Sequence, residues 1–312
     1  MSDLLTVILP VFVLIFAGFL AAKAKLIGAE GAKGLSDFVL YFCVPPLLFR
    51  TMQTVNLDAG STLRVWGVYY SAVAIIWAIV AIAVRRIPGL GAAGGAGTAF
   101  AATFGNLGMI GLSIAYLAFG DEGLVIAALI IAIHSANHWF FCTLWAEFAL
   151  RRQDVSPGAV AASVVLSLLK NPIVLALMFG AAWNALDLTM PATGERLIAL
   201  AGDAAIPTGL FALGLAVAAY PMRGNLTAIG ALIVLKMLVF PLTAWALAMF
   251  VFALPARETG LVALFAALPT GMNAYFFSVK FDTGVAAVTG AIAAGVALSA
   301  VSIPLVLHLA GV

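Results

Sequence analysis

The stretch LPTGMNAYFFSVKF occupies residues 268–281 and lies inside a long apolar run of the chain. Pro269, Thr270, Gly271 and Asn273 all fall near its beginning. Within a bilayer a backbone amide finds no water, so a broken helix is tolerated only where it is buried in protein or lines a cavity. If this run spans a membrane, the stretch therefore predicts a helix that is interrupted for a functional reason.

The composition indicates a polytopic membrane protein. Of 312 residues, 64% are hydrophobic and 9% are charged, and the mean hydropathy is +1.17. A soluble domain has about 25% charged residues. The net charge of +2 is too small to indicate a nucleic-acid partner. Cys43 and Cys142 lie in apolar runs, where they are expected to be small buried hydrophobes.

Ten apolar segments approach the length of about 20 residues that crosses the hydrocarbon core. The first is interpreted as a spanning helix, because Lys23 and Lys25 follow it, whereas a signal peptide has its positive charge in front. The segment 158–167 is apolar but short, and is expected to be a lead-in helix on the membrane surface. The predicted spans are 4–22, 35–53, 62–84, 97–119, 123–149, 168–187, 197–219, 226–252, 259–280 and 285–310.

The distribution of Lys and Arg predicts the orientation, because cytoplasmic loops carry an excess of both. With both termini outside, that is periplasmic, Arg50, Arg64, Arg196 and Arg257 lie outside, and a larger set lies inside. That inside set comprises Lys23, Lys25, Lys33, Arg85, Arg86, Arg151, Arg152, Lys170, Arg223 and Lys280. We therefore expect a multi-pass protein of the plasma (inner) membrane.

An internal repeat appears when the chain is shifted by 162 residues. VPPLLF (44–49) then falls on IPTGLF (206–211), and Gly18 falls on Gly180. The shift predicts two five-span halves, 1–150 and 158–312, joined by a cytoplasmic linker at 151–157. An odd number of spans makes the halves inverted repeats, which are typical of secondary transporters. Coincidence in a low-complexity apolar sequence is the alternative.

The fourth span contains a second polar interruption, FGNLGMIG (104–111), at a place that matches LPTGMNAY (268–275) in the ninth. Matched interruptions in the two halves point to a binding site. If the two broken helices cross near the midplane, their half-helix N-termini favour a carboxylate. Asn106, Thr270 and Asn273 would add neutral donors. The alternative is that Pro269 only kinks a packed helix and that the glycines only permit close packing.

Six motifs, taken in order along nearly the whole chain, resemble the auxin efflux carrier family of transporters. That family belongs to the bile acid/auxin/arsenite transporter superfamily, and the chain is similar to its bacterial members. The motifs are FVLYFCVPPLLF, GNLGMIGLSIAYLAFG, KNPIVLALMFG, GDAAIPTGLFALGLAVA, LPTGMNAYFFSVKF and ALSAVSIPLVL.

The resemblance implies an all-α protein with ten transmembrane helices in two inverted five-helix repeats, whose broken helices 4 and 9 cross. It also implies an elevator mechanism, a homodimer and an organic-anion substrate such as malate, malonate or auxin. The family's crossover asparagine corresponds to Asn106 and its crossover proline to Pro269. Gly105 and Ser113 stand where the family often has prolines, so a softer break is expected in the fourth span.

The predicted substrate site combines both breaks with two other spans. Ionisable residues within the membrane are functional candidates by default, so Asp203 and Lys236 are candidates for coupling or for charge. Their alternatives are a helix cap and a structural partner role. The predicted substrate-binding residues are Asn106, Gly108, Pro269, Thr270, Gly271, Asn273, Val44, Pro45 and His134.

The segment HSANH (134–138) places His134 and His138 on one helix face, but Ser135 stands where a zinc protease has its glutamate. We expect no metal site there, no cofactor and no catalytic residues. His134 is expected either to line the substrate path or to be packed. A membrane-embedded enzyme would need a nucleophile–base set, paired acids or a metal cluster, and an antiporter would be expected to place paired acids at the crossover; the sequence offers neither. A structural or receptor protein would not need matched breaks.

Coupling is left open by the sequence. The broken region has no carboxylate, which argues against obligatory Na⁺ coupling, since Na⁺ sites usually include one. Proton coupling through Asp203 and uncoupled flow both fit. An anion leaving the cell gains about 2.3 kcal/mol per charge per 100 mV of inside-negative potential. The alternative function is a cation-coupled symporter or antiporter, using H⁺ or Na⁺, of related fold with a different cargo.

Overall fold

The computed structural model describes residues 2–54, 59–83, 94–150, 156–219 and 225–310, and in these ranges the chain is helical, without a named strand. The predicted linker residues 151–155 and the predicted inside charges Arg85, Arg86 and Arg223 lie outside the described residues. The helices are α1 Ser2–Lys23, α2 Ala29–Phe38, α3 Val44–Thr54, α4 Ala59–Ala83, α5 Gly94–Thr103, α6 Leu112–Ala149, α7 Pro157–Leu169, α8 Pro172–Ala185, α9 Ala192–Asp203, α10 Ala205–Ala219, α11 Leu226–Val234, α12 Phe240–Ala246, α13 Ala256–Ala267, α14 Asn273–Phe281 and α15 Val285–Leu309.

Within the described ranges, four short π-helical segments join or extend these helices, at Val39–Cys43, Leu107–Gly111, Leu235–Val239 and Leu247–Val251. The start of α8 follows from its sequence. The side chain of Asn171 accepts the Ile173 amide at 2.9 Å, and Pro172 follows at the first helical position, where its missing N–H costs nothing.

Six helical runs among the described residues are long and apolar enough to cross a membrane, and there are seven if the bent pair α7 and α8 counts as one. The two members of that pair meet at 66°. The predicted fourth and fifth spans share the run Leu107–Ala149, whose backbone leaves helical geometry at Gly120 (φ 66°). The predicted ninth span is divided into α13 and α14, which have 12 and 9 residues. The chain is thus a multi-pass helical membrane protein.

The chain forms two compact units, each built from segments of both sequence halves. The first unit comprises Met1–Ser61, Leu107–Ala132 and Leu168–Ala219, and the second comprises Thr62–Asn106, Ile133–Ser167 and Tyr220–Val312. Residues 104–106, which follow α5, and residues 268–272, which connect α13 to α14, are not helical. Both segments belong to the second unit. Cys43 and Cys142 are buried free thiols, as expected for small apolar residues.

Close backbone approaches at glycine hold the first unit together. A methyl group on Gly18 in α1 would lie 2.1 Å from the carbonyl oxygen of Phe211 in α10. A methyl group on Gly180 in α8 would lie 2.7 Å from the carbonyl oxygen of Phe49 in α3. In membranes, where lipid tails are as apolar as the helices, small residues of this kind drive helix association by van der Waals packing.

Candidate functional site

The ninth predicted span is broken where its sequence requires it. Helix α13 ends at Ala267, and Leu268 adopts an extended conformation (φ −58°, ψ 144°). A residue that precedes proline is pushed out of the helical region by the proline ring, and Pro269 also lacks the amide that would continue the helix. The chain becomes helical again at Asn273. In the fourth predicted span, α5 ends at Thr103 and helical backbone resumes at Leu107.

The two breaks are hydrogen-bonded to each other. The Asn106 amide donates to the carbonyl of Pro269 at 2.9 Å, and the Gly271 amide donates to the carbonyl of Phe104 at 2.9 Å. These bonds flank an antiparallel bridge between Gly105 and Thr270. Each break therefore satisfies backbone groups of the other, as membrane-buried backbone must. The backbone amides of Asn106 and Gly271 are therefore bound within the protein.

The carbonyl ends of the two interrupted helices are satisfied by side chains. The hydroxyl of Thr270, which is 2% exposed, donates to the carbonyl of Ala101 in α5 at 3.0 Å. The ammonium of Lys236 donates to the carbonyl of Ala266 in α13 at 2.6 Å. The hydroxyl of Thr270, which the sequence analysis predicted as a ligand donor, thus donates to the protein. Lys236 has a structural hydrogen bond that its position in the sequence did not reveal.

Lys236 is 1% exposed, and its ammonium lies 4.8 Å from the centre of the Phe240 ring. It would also lie 3.5 Å from a methyl group on Gly105. Among the residues that the structure describes, no carboxylate forms an ion pair with Lys236. The amino group of Lys236, without a carboxylate partner, therefore lies directly behind the first break.

The accessible edge of the paired breaks carries two side-chain amides. Asn106 and Asn273 are half-buried, whereas Pro269, Thr270 and Gly271 are buried. The Asn273 amide donates to the Ser135 hydroxyl in α6 at 3.4 Å, and the Asn106 side chain has no hydrogen-bond partner in the part of the chain that the structure describes. Asn273 begins α14, where the helix dipole is positive. This edge offers neutral donors and positive potential to a ligand.

A buried aromatic and polar cluster supports the first break from α6. The His134 ring lies 4.4 Å from the rings of Phe104 and His138, and His134 is 3% exposed. Its two nitrogens have no hydrogen-bond partner among the described residues. His138 bonds to the Thr103 hydroxyl at 3.0 Å. The sequence analysis had not included Thr103, Phe104 or Ser135 among the predicted site residues, although each is close in sequence to a residue that it did include.

Four other predicted residues belong to the first unit. Val44 is buried and Pro45 is half-buried at the start of α3, and Gly108 lies in the π-helical segment with open space beside its α-carbon. Asp203 ends α9 and forms an ion pair with Arg50 at 3.0 Å, with 67% of the Asp203 side chain exposed.

The exposure of Asp203 predicts a small contribution to stability. Exposed ion pairs contribute about 0–1 kcal/mol, because water and salt screen them. We expect Asp203→Asn to shift the melting temperature by no more than about 3 °C, since a protein of this size shifts by about 2–4 °C per kcal/mol. Thermal unfolding of purified Asp203→Asn, compared with Arg50→Gln, tests this expectation. A large decrease in melting temperature for Asp203→Asn alone would show that Asp203 has a second role.

A cavity of about 160 Å³ lies elsewhere in the second unit. It is lined by the start of α5, the start of α11 and the turn before α15, including Thr98, Asn225 and Gly284. The rest of its wall is mostly apolar, which does not suit a small anion.

Comparison with known proteins agrees with this architecture. Residues 3–307 match a family described as "Membrane transport protein". The chain is 27% identical over 285 residues to a protein of Rhizobium meliloti (strain 1021) named "Putative malonate transporter", which covers 90% of this chain and 88% of the relative. It is 26% identical over 305 residues to an "Uncharacterized transporter" of Methanothermobacter thermautotrophicus, covering 96% and 95% of the two chains.

A third relative is the "Lysosomal cholesterol signaling protein" of Mus musculus, which is 25% identical over 257 residues, covering 77% of this chain and 29% of the mouse protein. Because the family match covers nearly the whole chain, this protein belongs to the membrane transport protein family, and the predicted resemblance to auxin efflux carriers is confirmed. The family and the first two names point to transport rather than catalysis.

Proposed function

We propose that this protein is a secondary transporter that carries a small organic anion of the malonate or malate type through a site at the accessible edge of the paired breaks. The observation that carries the proposal is the buried Lys236 ammonium behind the break, without a carboxylate partner. In a medium of low dielectric constant such a charge attracts an anion strongly. The carboxylate would be met by the side-chain amides of Asn106 and Asn273 and by the start of α14.

The proposed architecture is ten spans in two inverted repeats. Its support is a pair of helix contacts whose residues are related by the 162-residue shift. Gly18 approaches the Phe211 carbonyl, and Gly180 approaches the Phe49 carbonyl; Gly180 follows Gly18 by 162 residues, and Phe211 follows Phe49 by the same number. A two-fold relation between the halves would exchange Gly18 with Gly180 and Phe49 with Phe211. It would therefore turn the contact of Gly18 with Phe211 into the contact of Gly180 with Phe49, and both contacts are present.

The two compact units support an elevator mechanism. The second unit contains the paired breaks and Lys236, and we assign it as the transport domain, whereas the first unit would be the scaffold. A homodimer in the plasma membrane with both termini periplasmic completes the proposal. These features rest on family resemblance and on charge distribution. A cation-coupled carrier of related fold is the second candidate, and the dependence of transport on Na⁺ and on a pH gradient distinguishes the two.

The proposal is tested with purified protein in proteoliposomes and radiolabelled malonate and malate. Asn106→Ala is expected to weaken uptake about 10-fold or more, because a hydrogen bond to a charged group contributes about 1.5–3 kcal/mol. Pro269→Ala is expected to reduce the rate, because alanine allows α13 to continue through the break. Thermal unfolding verifies that both variants fold.

The matched controls are Asn225→Ala, which removes the side-chain cap that accepts a hydrogen bond from the Thr227 amide, and Pro304→Ala inside the last part of α15. Both are expected to retain most transport. Normal uptake in Asn106→Ala and Pro269→Ala together would contradict a site at the breaks. If neither dicarboxylate is taken up, counterflow with a panel of monocarboxylates, including indole-3-acetate, identifies the substrate class or rejects organic anions altogether.

A further inference from the structure

Lys236 is the one fully buried lysine among the residues that the structure describes. Burying a charge is costly unless it is paired or well hydrogen-bonded. Its observed partners are the carbonyl of Ala266 at 2.6 Å and the face of Phe240 at 4.8 Å. Both are favourable to a cation, since a helix C-terminus carries partial negative charge and an aromatic face attracts ammonium groups.

The Lys236 ammonium lies at the C-terminal end of α13. The last carbonyls of an α-helix have no partner within the helix, and α13 ends one residue after Ala266. In transporters built from inverted repeats, half-helix C-terminal ends and unwound carbonyls of this kind coordinate the coupling cation. The matching end of α5 is instead satisfied by a neutral group, the Thr270 hydroxyl. The two breaks therefore differ in charge, and the difference comes from one side chain.

We propose that the Lys236 ammonium is a tethered cation, which occupies the carbonyl end of α13 in place of a dissociable metal cation and gives the break its positive charge without Na⁺. A tethered cation is not released on either side of the membrane, so it cannot couple transport to a Na⁺ gradient. It also repels a second cation from the same carbonyls. The consequence for transport rests on the proposed function, whereas the occupation of the carbonyl end does not.

The first test measures thermal unfolding, which needs no substrate. Lys236→Met removes the charge and keeps most of the side-chain volume, and Lys236→Ala also opens a space that a small alkylammonium ion fits. In choline chloride both variants are expected to melt about 5 °C or more below the wild type, since a hydrogen bond to a charged group is lost. NaCl is expected to raise the melting temperature of Lys236→Met part of the way back to the wild-type value. Ethylammonium chloride is expected to do the same for Lys236→Ala, and both effects should saturate with salt concentration.

The controls use a lysine of the same unit and a variant that keeps the charge. Lys280 is exposed near the end of α14, and Lys280→Met is expected to melt like the wild type in every salt. Lys236→Arg is expected to melt closer to the wild type than Lys236→Met. The proposal is overturned if Lys236→Met is less stable than the wild type and no small cation restores its stability at constant ionic strength. It is also overturned if Lys236→Met is as stable as the wild type in choline chloride.

If Lys236→Met does not fold in any salt, the wild type decides the question. Its melting temperature is expected to be the same in NaCl and in choline chloride, and a saturable rise with Na⁺ overturns the proposal. The second test is malonate or malate uptake in proteoliposomes. Wild-type uptake is expected without Na⁺, and Lys236→Met is expected to lose at least tenfold in choline and regain part of it in NaCl. Failure of uptake under all conditions would contradict the proposed function and leave the stability test to judge the tethered cation.

Discussion

Replacing Gly271 with alanine is expected to abolish the proposed anion transport while leaving most of the helices in place. A methyl group on Gly271 would lie 2.9 Å from the Gly105 carbonyl oxygen and 3.0 Å from the Phe104 ring. One of these neighbours is backbone, so a side-chain rotation alone does not relieve the clash. The two breaks must separate, and the bond from the Gly271 amide to the Phe104 carbonyl is lost. In proteoliposomes we expect uptake to fall by a factor of about 100 or more, because a displacement of about 1 Å at a binding site already costs this much.

The matched control is Gly230→Ala in α11 of the same unit. A methyl group there meets no atom within 4 Å, and alanine is the better helix former. This variant should transport at the wild-type rate. If Gly271→Ala also transports normally, the pairing of the two breaks is not needed for function. Circular dichroism separates a local change at the breaks from general unfolding, since only the latter lowers the helical signal strongly.

The second large effect is expected in the first unit, at Gly214→Ala. A methyl group on Gly214 in α10 would lie 1.9 Å from the Ile15 carbonyl oxygen and 2.8 Å from the Phe19 amide nitrogen of α1. Both neighbours are backbone, so α1 and α10 must move apart along their contact. Overpacking of this kind costs about 1–3 kcal/mol and at times more. We expect a melting temperature lower by about 10 °C or a loss of monodisperse protein, measured by fluorescence-detected size exclusion and thermal unfolding.

Gly209→Ala provides the control in the same helix. There the added methyl group meets only the Val39 side chain, at 3.4 Å, which is ordinary van der Waals contact. Its melting temperature should stay within a few degrees of the wild type. Equal stability of Gly214→Ala and Gly209→Ala would show that α1 and α10 are not in close contact in the protein. Gly18→Ala should resemble Gly214→Ala, because its methyl group would lie 2.1 Å from the Phe211 carbonyl.

Sequence reasoning located the breaks because their causes are local. Pro269 prevents the helix from continuing, and polar residues concentrated in an apolar run mark the place. The start of α8 also has a local cause, in Asn171 and Pro172. Sequence reasoning did not find the roles of Thr270 and Lys236 at the carbonyl ends of α5 and α13. Those hydrogen bonds join residues 169 and 30 positions apart, and no periodicity in the sequence records such distant pairs.

By itself, the sequence determined that the chain is a helical membrane protein interrupted at two places, because hydropathy, proline and glycine act on the residues beside them. Only the tertiary structure decided that the amides of Asn106 and Gly271 bond across the two breaks, and that the ammonium of Lys236 lies at the end of α13. Backbone groups in a membrane must find partners within the protein, and which partners they find depends on how distant segments pack.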